Sequence, residues 1–343
     1  MKSFKISILA ALCLLSFQVK SQQVSQFSQY MIRPSLYNPA ASGADEAICI
    51  YGTYRNQWIG FKDQNNEAAN PVNYQGGIAF PIYPINSGVG LTFGAGSIGY
   101  QSFLNVRLDY AYHFKIDDEQ RILAGASIQF EDVTIDFNKL SVMDIIEPLL
   151  HKLGKQQDMV TQAGFGVMYS LKNKGWAGVS VLNLLGSEAE FENVAIPYKM
   201  TIIAQGLYKF RVIDERKRKI DIAPAFLVKT QFTSTQVDLN VLGYFNDRFW
   251  LGTGYRLQDG IMVLGGIQAK NLKLGVSYDF TTNQMRKATG TGSAEVHLSY
   301  CIPVPQQSEI DRPSSSENKG IKINDRNSVR KNKIMGKFNT RNL

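Results

Sequence analysis

The chain has 343 residues, 44% of them hydrophobic, with 29 glycines and a formal net charge of +8. Its mean hydropathy of −0.16 excludes a bundle of membrane-spanning helices but not a membrane β-barrel, in which only alternate residues meet lipid. Nine basic and four acidic residues follow Pro305, so more than half of the net charge belongs to a tail with no hydrophobic period, and the folded part shows no charge pattern that calls for a nucleic-acid partner.

The N-terminus reads as an address. Lys2 and Lys5 precede an apolar run over 6–17 that is too short to span a bilayer as a helix, and Val19 and Ser21 suit cleavage after Ser21. Residues 1–21 are therefore expected to be a signal peptide, with Gln22 as the mature start. Lipoprotein processing at Cys13 is disfavoured, because Leu12 is a poor residue to precede the modified cysteine. Residues 22–46 follow as an N-terminal periplasmic or plug segment. Cys49 and Cys301 are too few and too distant in sequence for a metal cluster or a disulfide framework, and are expected to be free thiols.

From Ala47 the dominant signal is period two, which puts alternate side chains on opposite faces of a strand. Over 104–114, Leu104, Val106, Leu108, Tyr110, Tyr112 and Phe114 share one face, while Asn105, Arg107, Asp109, Ala111 and His113 share the other. The stretches 272–280 and 294–302 repeat the alternation. About fourteen strands are predicted, near 47–58, 73–82, 87–97, 102–115, 120–133, 163–171, 175–184, 198–210, 220–229, 236–244, 248–256, 260–268, 272–280 and 293–302. Links after even-numbered strands are short. Several after odd-numbered strands are long, notably 59–72, 134–162, 185–197 and 281–292. Short turns on one rim, long loops on the other, and strands long enough to cross a bilayer predict an all-β fold: a transmembrane outer-membrane β-barrel of about 14 antiparallel strands over 47–302. A soluble two-sheet sandwich would show the same alternation, but not the asymmetry of the loops.

Within the long loop, 140–153 has near-helical apolar spacing cut by Pro148, which predicts one short helix or two turns. The basic run Arg216–Lys219 falls on a predicted periplasmic turn and reads as a solvated hairpin tip. Residues 303–343 are polar and charged, and are expected to form a disordered basic tail.

No catalytic or metal-binding spacing emerges. His113, His151 and His297 have no second histidine or cysteine at ligand spacing. His297 beside Glu295 or Asp279, with Ser277 or Ser299 as nucleophile, is the one enzyme arrangement that strand geometry permits. The simpler reading is an arginine–carboxylate network filling a barrel interior, since charges removed from bulk water are paired. The chain is thus expected to be non-enzymatic and to need no cofactor or metal.

Residues 26–61 carry a family resemblance. Phe27, Ser28, Gln29, Tyr30 and Met31, then Asn38, Pro39, Ala40 and Gly43, then Tyr54, Arg55, Gln57, Trp58, Gly60 and Phe61 resemble the opening of the PorP/SprF family of outer-membrane proteins of the type IX secretion system of Bacteroidetes. Gly275, Ser277, Tyr278, Asp279 and Phe280, with Gly292, Ser293, Glu295 and Leu298, resemble that family's last two strands. Lys62, Asp63 and Gln64 depart from its usual Gly-Ala-Pro turn, and Ala41 stands where a tyrosine is common. The resemblance implies a role in secretion and surface attachment of adhesins, including gliding-related ones. It implies as partners a secreted surface protein at the outer loops and periplasmic secretion or peptidoglycan-anchoring components, with outer-membrane lipid around the barrel. A channel for small or hydrophobic solutes is the alternative that a barrel of this size allows. Asn38, Pro39, Tyr54, Arg55, Gln57, Trp58, Gly60, Phe61, Asp279 and Glu295 are the candidate structural or partner-binding residues. Arg55 is placed to meet a carboxylate such as Glu295 on the closing strand. The segment before the first strand is placed on the periplasmic side, either entering the lumen or docking a partner.

Overall fold

A computed structural model of the chain describes residues 24–63, 66–137, 154–192, 194–216, 218–282 and 292–304. The expected signal peptide with Cys13, the helix expected over 140–153 and nearly all of the expected tail lie outside those residues.

The alternating sequence folds into strands β1 (Ala47–Asn56), β2 (Val72–Ile82), β3 (Ser87–Ile98), β4 (Gln101–Lys115), β5 (Gln120–Asp136), β6 (Lys155–Leu171) and β7 (Gly175–Leu182). A small hairpin of β8 (Glu188–Phe191) and β9 (Val194–Pro197) follows. The wall then continues through β10 (Thr201–Tyr208), β11 (Phe210–Glu215), β12 (Arg218–Thr230), β13 (Thr235–Phe245), β14 (Phe249–Arg256), β15 (Gly260–Ala269), β16 (Leu272–Thr281) and β17 (Ser293–Pro303). Each wall strand pairs antiparallel with its sequence neighbours; β1 pairs with β17, and β10 with both β7 and β12, so the sheet closes on itself. With β10 and β11 as successive halves of one stave, the wall is a closed 14-strand antiparallel barrel.

Closure leaves only short edges, along β11 and at the outward end of β6, so round the ring the ladder satisfies the backbone groups that lipid could not. Side chains divide as the alternation requires. Leu104, Leu108, Tyr110, Val241, Leu251, Val276 and Leu298 face outward and are exposed, while Arg107, Asp109, Asp238, Arg256, Glu295 and His297 face inward and are buried. Edge-to-face pairs mark both interfaces: Tyr112–Phe114 and Tyr208–Phe210 near the short-turn rim, Tyr278–Phe280 near the long-loop rim. Amphipathic rings belong at headgroup level.

Several expectations change. Cys49 and Cys301 form a disulfide across 252 residues of sequence, with their Cα atoms 4.1 Å apart. They are directly opposed in the register of β1 and β17. Distance along the chain is irrelevant once closure makes the first and last strands neighbours. The first strand ends at Asn56, not residue 58, because Gln57 bonds to Pro71 and Trp58 turns the chain with φ 53°. The single strand expected over 198–210 breaks at Lys209: β7 stops at Gly175, so beyond Tyr208 the stave pairs with β12 alone, with a register shift between Arg211 and Ile213. The strand expected from 163 starts at Lys155, where pairing with β5 outruns the apolar alternation. The loop expected over 185–197 holds the β8–β9 hairpin. This hairpin packs Ala189, Phe191, Ile196 and Tyr198 onto Val133, Ile135, Phe137 and Val160, a small core on the outward extension of β5 and β6.

The Cys49–Cys301 link should appear as one cross-linked peptide pair in the digest of unreduced protein. Reduction, or a Cys49→Ser/Cys301→Ser double variant, should lower the temperature at which the folded band converts to the unfolded one in semi-native gels. Two alkylatable thiols in unreduced, denatured protein would contradict the bridge.

Candidate functional site

The lumen is filled by the chain's own N-terminal segment. From Phe27 to Ser42 all but Ile32 and Pro34 are buried. Two short helical turns, Pro34–Leu36 and Pro39–Ala41, each begin with a proline whose fixed φ suits the first helical position. The Asn38 side chain accepts from Ala40 N at 2.9 Å, capping the second turn.

The segment does not sit on the periplasmic side throughout. Its described start lies in the half of the barrel toward the long loops: Lys229 Nζ donates to the Val24 carbonyl at 3.1 Å, and Ser25 Oγ to Asn73 Oδ1 at 3.0 Å. It reaches the short-turn rim at Ala44, whose carbonyl accepts from Arg121 at 3.2 Å, and enters β1 there. The reason is electrostatic: the buried charges that need partners are held in the outward half.

Those charges form one network. Arg55, at the outward end of β1, donates to Asp279 Oδ2 at 2.7 Å and to Glu295 Oε2 at 3.1 Å. Arg256 on β14 bonds the same Asp279 oxygen at 2.9 Å and Asp238 Oδ2 at 2.9 Å. Both arginines are at most 2% exposed. The plug completes the set: backbone N–H groups of Ser28 and Gln29 donate to the two Glu295 oxygens at 2.7 and 3.0 Å, and Ser28 Oγ donates to Asp279 Oδ2 at 2.6 Å. Arg55 donates to that hydroxyl at 2.8 Å and Arg256 at 3.2 Å. Ser28 thus sits between two arginines and two carboxylates.

Four further side chains latch the plug along its length. Arg107 donates to the carbonyls of Leu36 and Ser35 at 3.1 and 2.5 Å while paired with Asp109. Ser180 Oγ donates to the Tyr37 carbonyl at 2.7 Å, and Gln205 Nε2 to that of Pro34 at 3.0 Å. Asn38 Nδ2 reaches the carbonyls of Val167 and Val179 at 3.1 and 3.4 Å. Within the plug, the Tyr37 hydroxyl accepts from Phe27 N and donates to the Ser25 carbonyl. Burial pushes that phenol well above its ordinary range and keeps it a neutral donor.

The lumen wall also has an apolar stretch, interleaved with the polar groups of β10 to β14. Phe27, Tyr30, Met31 and Leu36 pack on Ile203, Leu207, Leu227, Leu242, Trp250 and Leu264 from β10 to β15. Close approach also explains two wall glycines: a Cβ at Gly125 would lie 2.6 Å from Ala40 N, and one at Gly166 would overlap the Asn38 side chain.

Of the ten candidate residues, the structure brings five to this interior. Arg55, Asp279 and Glu295 share the network, and Asn38 latches the plug; Pro39 is buried beside it. Tyr54 faces outward against Tyr74, with ring centroids 5.0 Å apart. Gln57, Trp58, Gly60 and Phe61 form the link after β1, where Trp58 N donates to Ser293 Oγ at 3.1 Å and Trp58 packs edge-on to Phe61. Arg107, Asp109 and His297 are legible in the sequence as inward-facing, whereas Asp238, Ser180, Gln205 and Lys229 do not stand out there. Their signal was present: each is a polar residue at an inward position of an alternating strand. The enzyme arrangement is not assembled here. His297 Nδ1 lies 2.8 Å from Thr53 Oγ1, and Glu295 is engaged by Arg55 and the plug.

A family model described as "Type IX secretion system membrane protein PorP/SprF" matches residues 19–300. The chain belongs to the PorP/SprF family. A PorP/SprF barrel with an apolar outward belt and aromatic pairs at both rims is an outer-membrane protein of type IX secretion. No curated protein matches the chain. Among solved structures it is similar in fold to the CymD monoaromatic hydrocarbon channel, with 11% identity, a TM-score of 0.45, and 80% of this chain and 92% of that one covered. It is similar too to a Pseudomonas aeruginosa FadL homologue, with 11% identity, a TM-score of 0.42, and 78% and 92% coverage. The Acinetobacter baumannii outer membrane protein Omp33 has 8% identity, a TM-score of 0.42, and 75% and 99% coverage.

Removing one partner from a buried charge network leaves the others uncompensated, so Arg55→Ala should destabilise the folded barrel by about 3–5 kcal/mol. Arg55→Lys, which keeps the charge but loses the two-pronged fork, should fall between it and wild type; denaturant titration of the detergent-solubilised protein reads both. Gly125→Val should expel the plug, leaving a folded barrel whose residues 24–44 are cut by protease. A resistant segment in that variant would mean the plug is not held by this approach.

Proposed function

We propose that this PorP/SprF protein is a non-enzymatic adaptor or anchor that holds a secreted surface protein, adhesin-like or gliding-related, at the outer membrane. The observation that carries the reading is the plug. A lumen occupied by the chain's own residues and tied to both arginines, three acidic side chains and several wall amides is built for rigidity rather than passage. A closed lumen leaves the rims as working surfaces. The outward extension of β5 and β6, with the β8–β9 hairpin packed on its own small core, offers the exported partner an ordered platform. The short turns, with Arg216, Arg218 and Lys219, face the periplasmic components.

A channel for small or hydrophobic solutes is the second reading. It is favoured by two cavities that flank the plug, of about 360 Å³ toward the long loops and about 450 Å³ toward the short turns. Movement of the plug would join them.

Tagged protein solubilised from its own membranes should co-purify with one large surface protein, and deletion of the β8–β9 hairpin should weaken that capture while leaving the barrel folded. In planar bilayers the wild type should be silent, and Gly125→Val should conduct. A steady open pore in the wild type, with no captured partner, would favour the channel.

A further inference from the structure

The cavity on the long-loop side of the plug has a composition unlike the charged network beneath it. Six amide side chains line it: Gln75, Gln101, Asn105, Gln129, Gln162 and Asn183. Gln129 and Gln162 are directly opposed across β5 and β6, and Asn105 and Glu131 across β4 and β5, so the polar groups form one continuous panel. Phe103 and Tyr198 add ring surface, and Phe27 and Tyr37 of the plug form the floor.

The charged groups at this cavity already have hydrogen-bond partners. Glu131 accepts from Tyr198 at 2.6 Å, Gln129 at 2.9 Å and Asn105 at 3.3 Å. Arg107 is engaged by Asp109 and the plug carbonyls. Gln162 is different. It is 2% exposed, it lines the cavity, and neither its Oε1 nor its Nε2 has a partner. A buried amide left unpaired is costly, and this one presents a donor and an acceptor side by side to the cavity.

We propose that this outer vestibule is a binding site for a neutral saccharide of one or two sugar rings. Adjacent hydroxyls pair with a planar amide as donor and acceptor at once, and the apolar face of a sugar ring lies against aromatic side chains. An anion would meet no free cation, and the Glu131 carboxylate that a cation would meet already accepts three hydrogen bonds. An extended peptide would find no open strand edge, which recognition by strand addition needs: β3 to β5 are paired on both sides, and the end of β6 that outruns β7 is covered by the following link, where Leu184 N and Ser187 Oγ donate to the Ala163 and Thr161 carbonyls. The volume, about 360 Å³, is within the usual range for small-ligand pockets.

The test uses the full-length protein purified in detergent. Calorimetry and saturation-transfer NMR would be run with glucose, galactose, N-acetylglucosamine and cellobiose at millimolar concentration, with triglycine as the peptide probe. At least one sugar should bind saturably, and Gln162→Leu should weaken it by about tenfold or more while keeping the heat-resistant folded band. Should Gln162→Leu fail to assemble, Gln101→Leu, on the same wall, should give the same loss. Absence of saturable binding by every sugar overturns the proposal, as does equal binding by wild type and both variants. Gln162-dependent binding of triglycine without any sugar also overturns it and assigns the vestibule to a peptide.

Discussion

The structure depends on the buried contact between two arginines, Arg55 and Arg256, and three acidic residues, Asp238, Asp279 and Glu295, assembled around Ser28. Taking so many charges from water is costly, and the cost is offset only when each oxygen and N–H finds a partner. Wall strands alone supply the ion pairs. They do not supply the donors that Glu295 receives from the Ser28 and Gln29 backbone. The charges in the wall therefore create a need that the N-terminal segment meets, and this couples barrel closure to plug insertion. The same contact spans β1, β13, β14, β16 and β17, including the seam where the first and last strands meet. A disulfide reinforces that seam near its opposite end.

Complementarity elsewhere follows from the same demand. A plug made only of polar groups would leave the lumen poorly packed, whereas this one packs aromatic and aliphatic side chains on apolar residues of β10–β15 and bonds its backbone to polar groups all round the wall. Glycines such as Gly125 and Gly166 let the plug backbone approach the strands without steric overlap. The inside of the barrel is in effect a second protein core, in which apolar packing and hydrogen bonds are interleaved.

This arrangement leaves the rims as the accessible polar surfaces of the barrel. Around the long-loop rim the wall strands β4, β5 and β6 reach 15 to 17 residues, beyond what crossing a bilayer requires, and the β8–β9 hairpin is packed on that extension. The outer vestibule opens on the same side, between this extension and the plug. An adaptor that stands still in the membrane while presenting a shaped outer surface is consistent with membership of a type IX secretion family.

By itself the sequence determined the barrel. Period-two alternation in Leu104–Phe114 and its repeats, with short and long links in turn, sets strand number, the lipid face and the inward set, because these depend only on neighbours along the chain. It also placed Arg55 and Glu295 on facing inward positions of the first and last strands. What only the tertiary structure decided depends on contacts between residues far apart in sequence. Cys49 and Cys301 read as unrelated thiols until closure opposed them. Residues 26–44 have no strand or long-helix period, so nothing local says that they lie in the lumen. Their place is set by the carbonyls, amides and charges of a wall that exists only once the ring has closed.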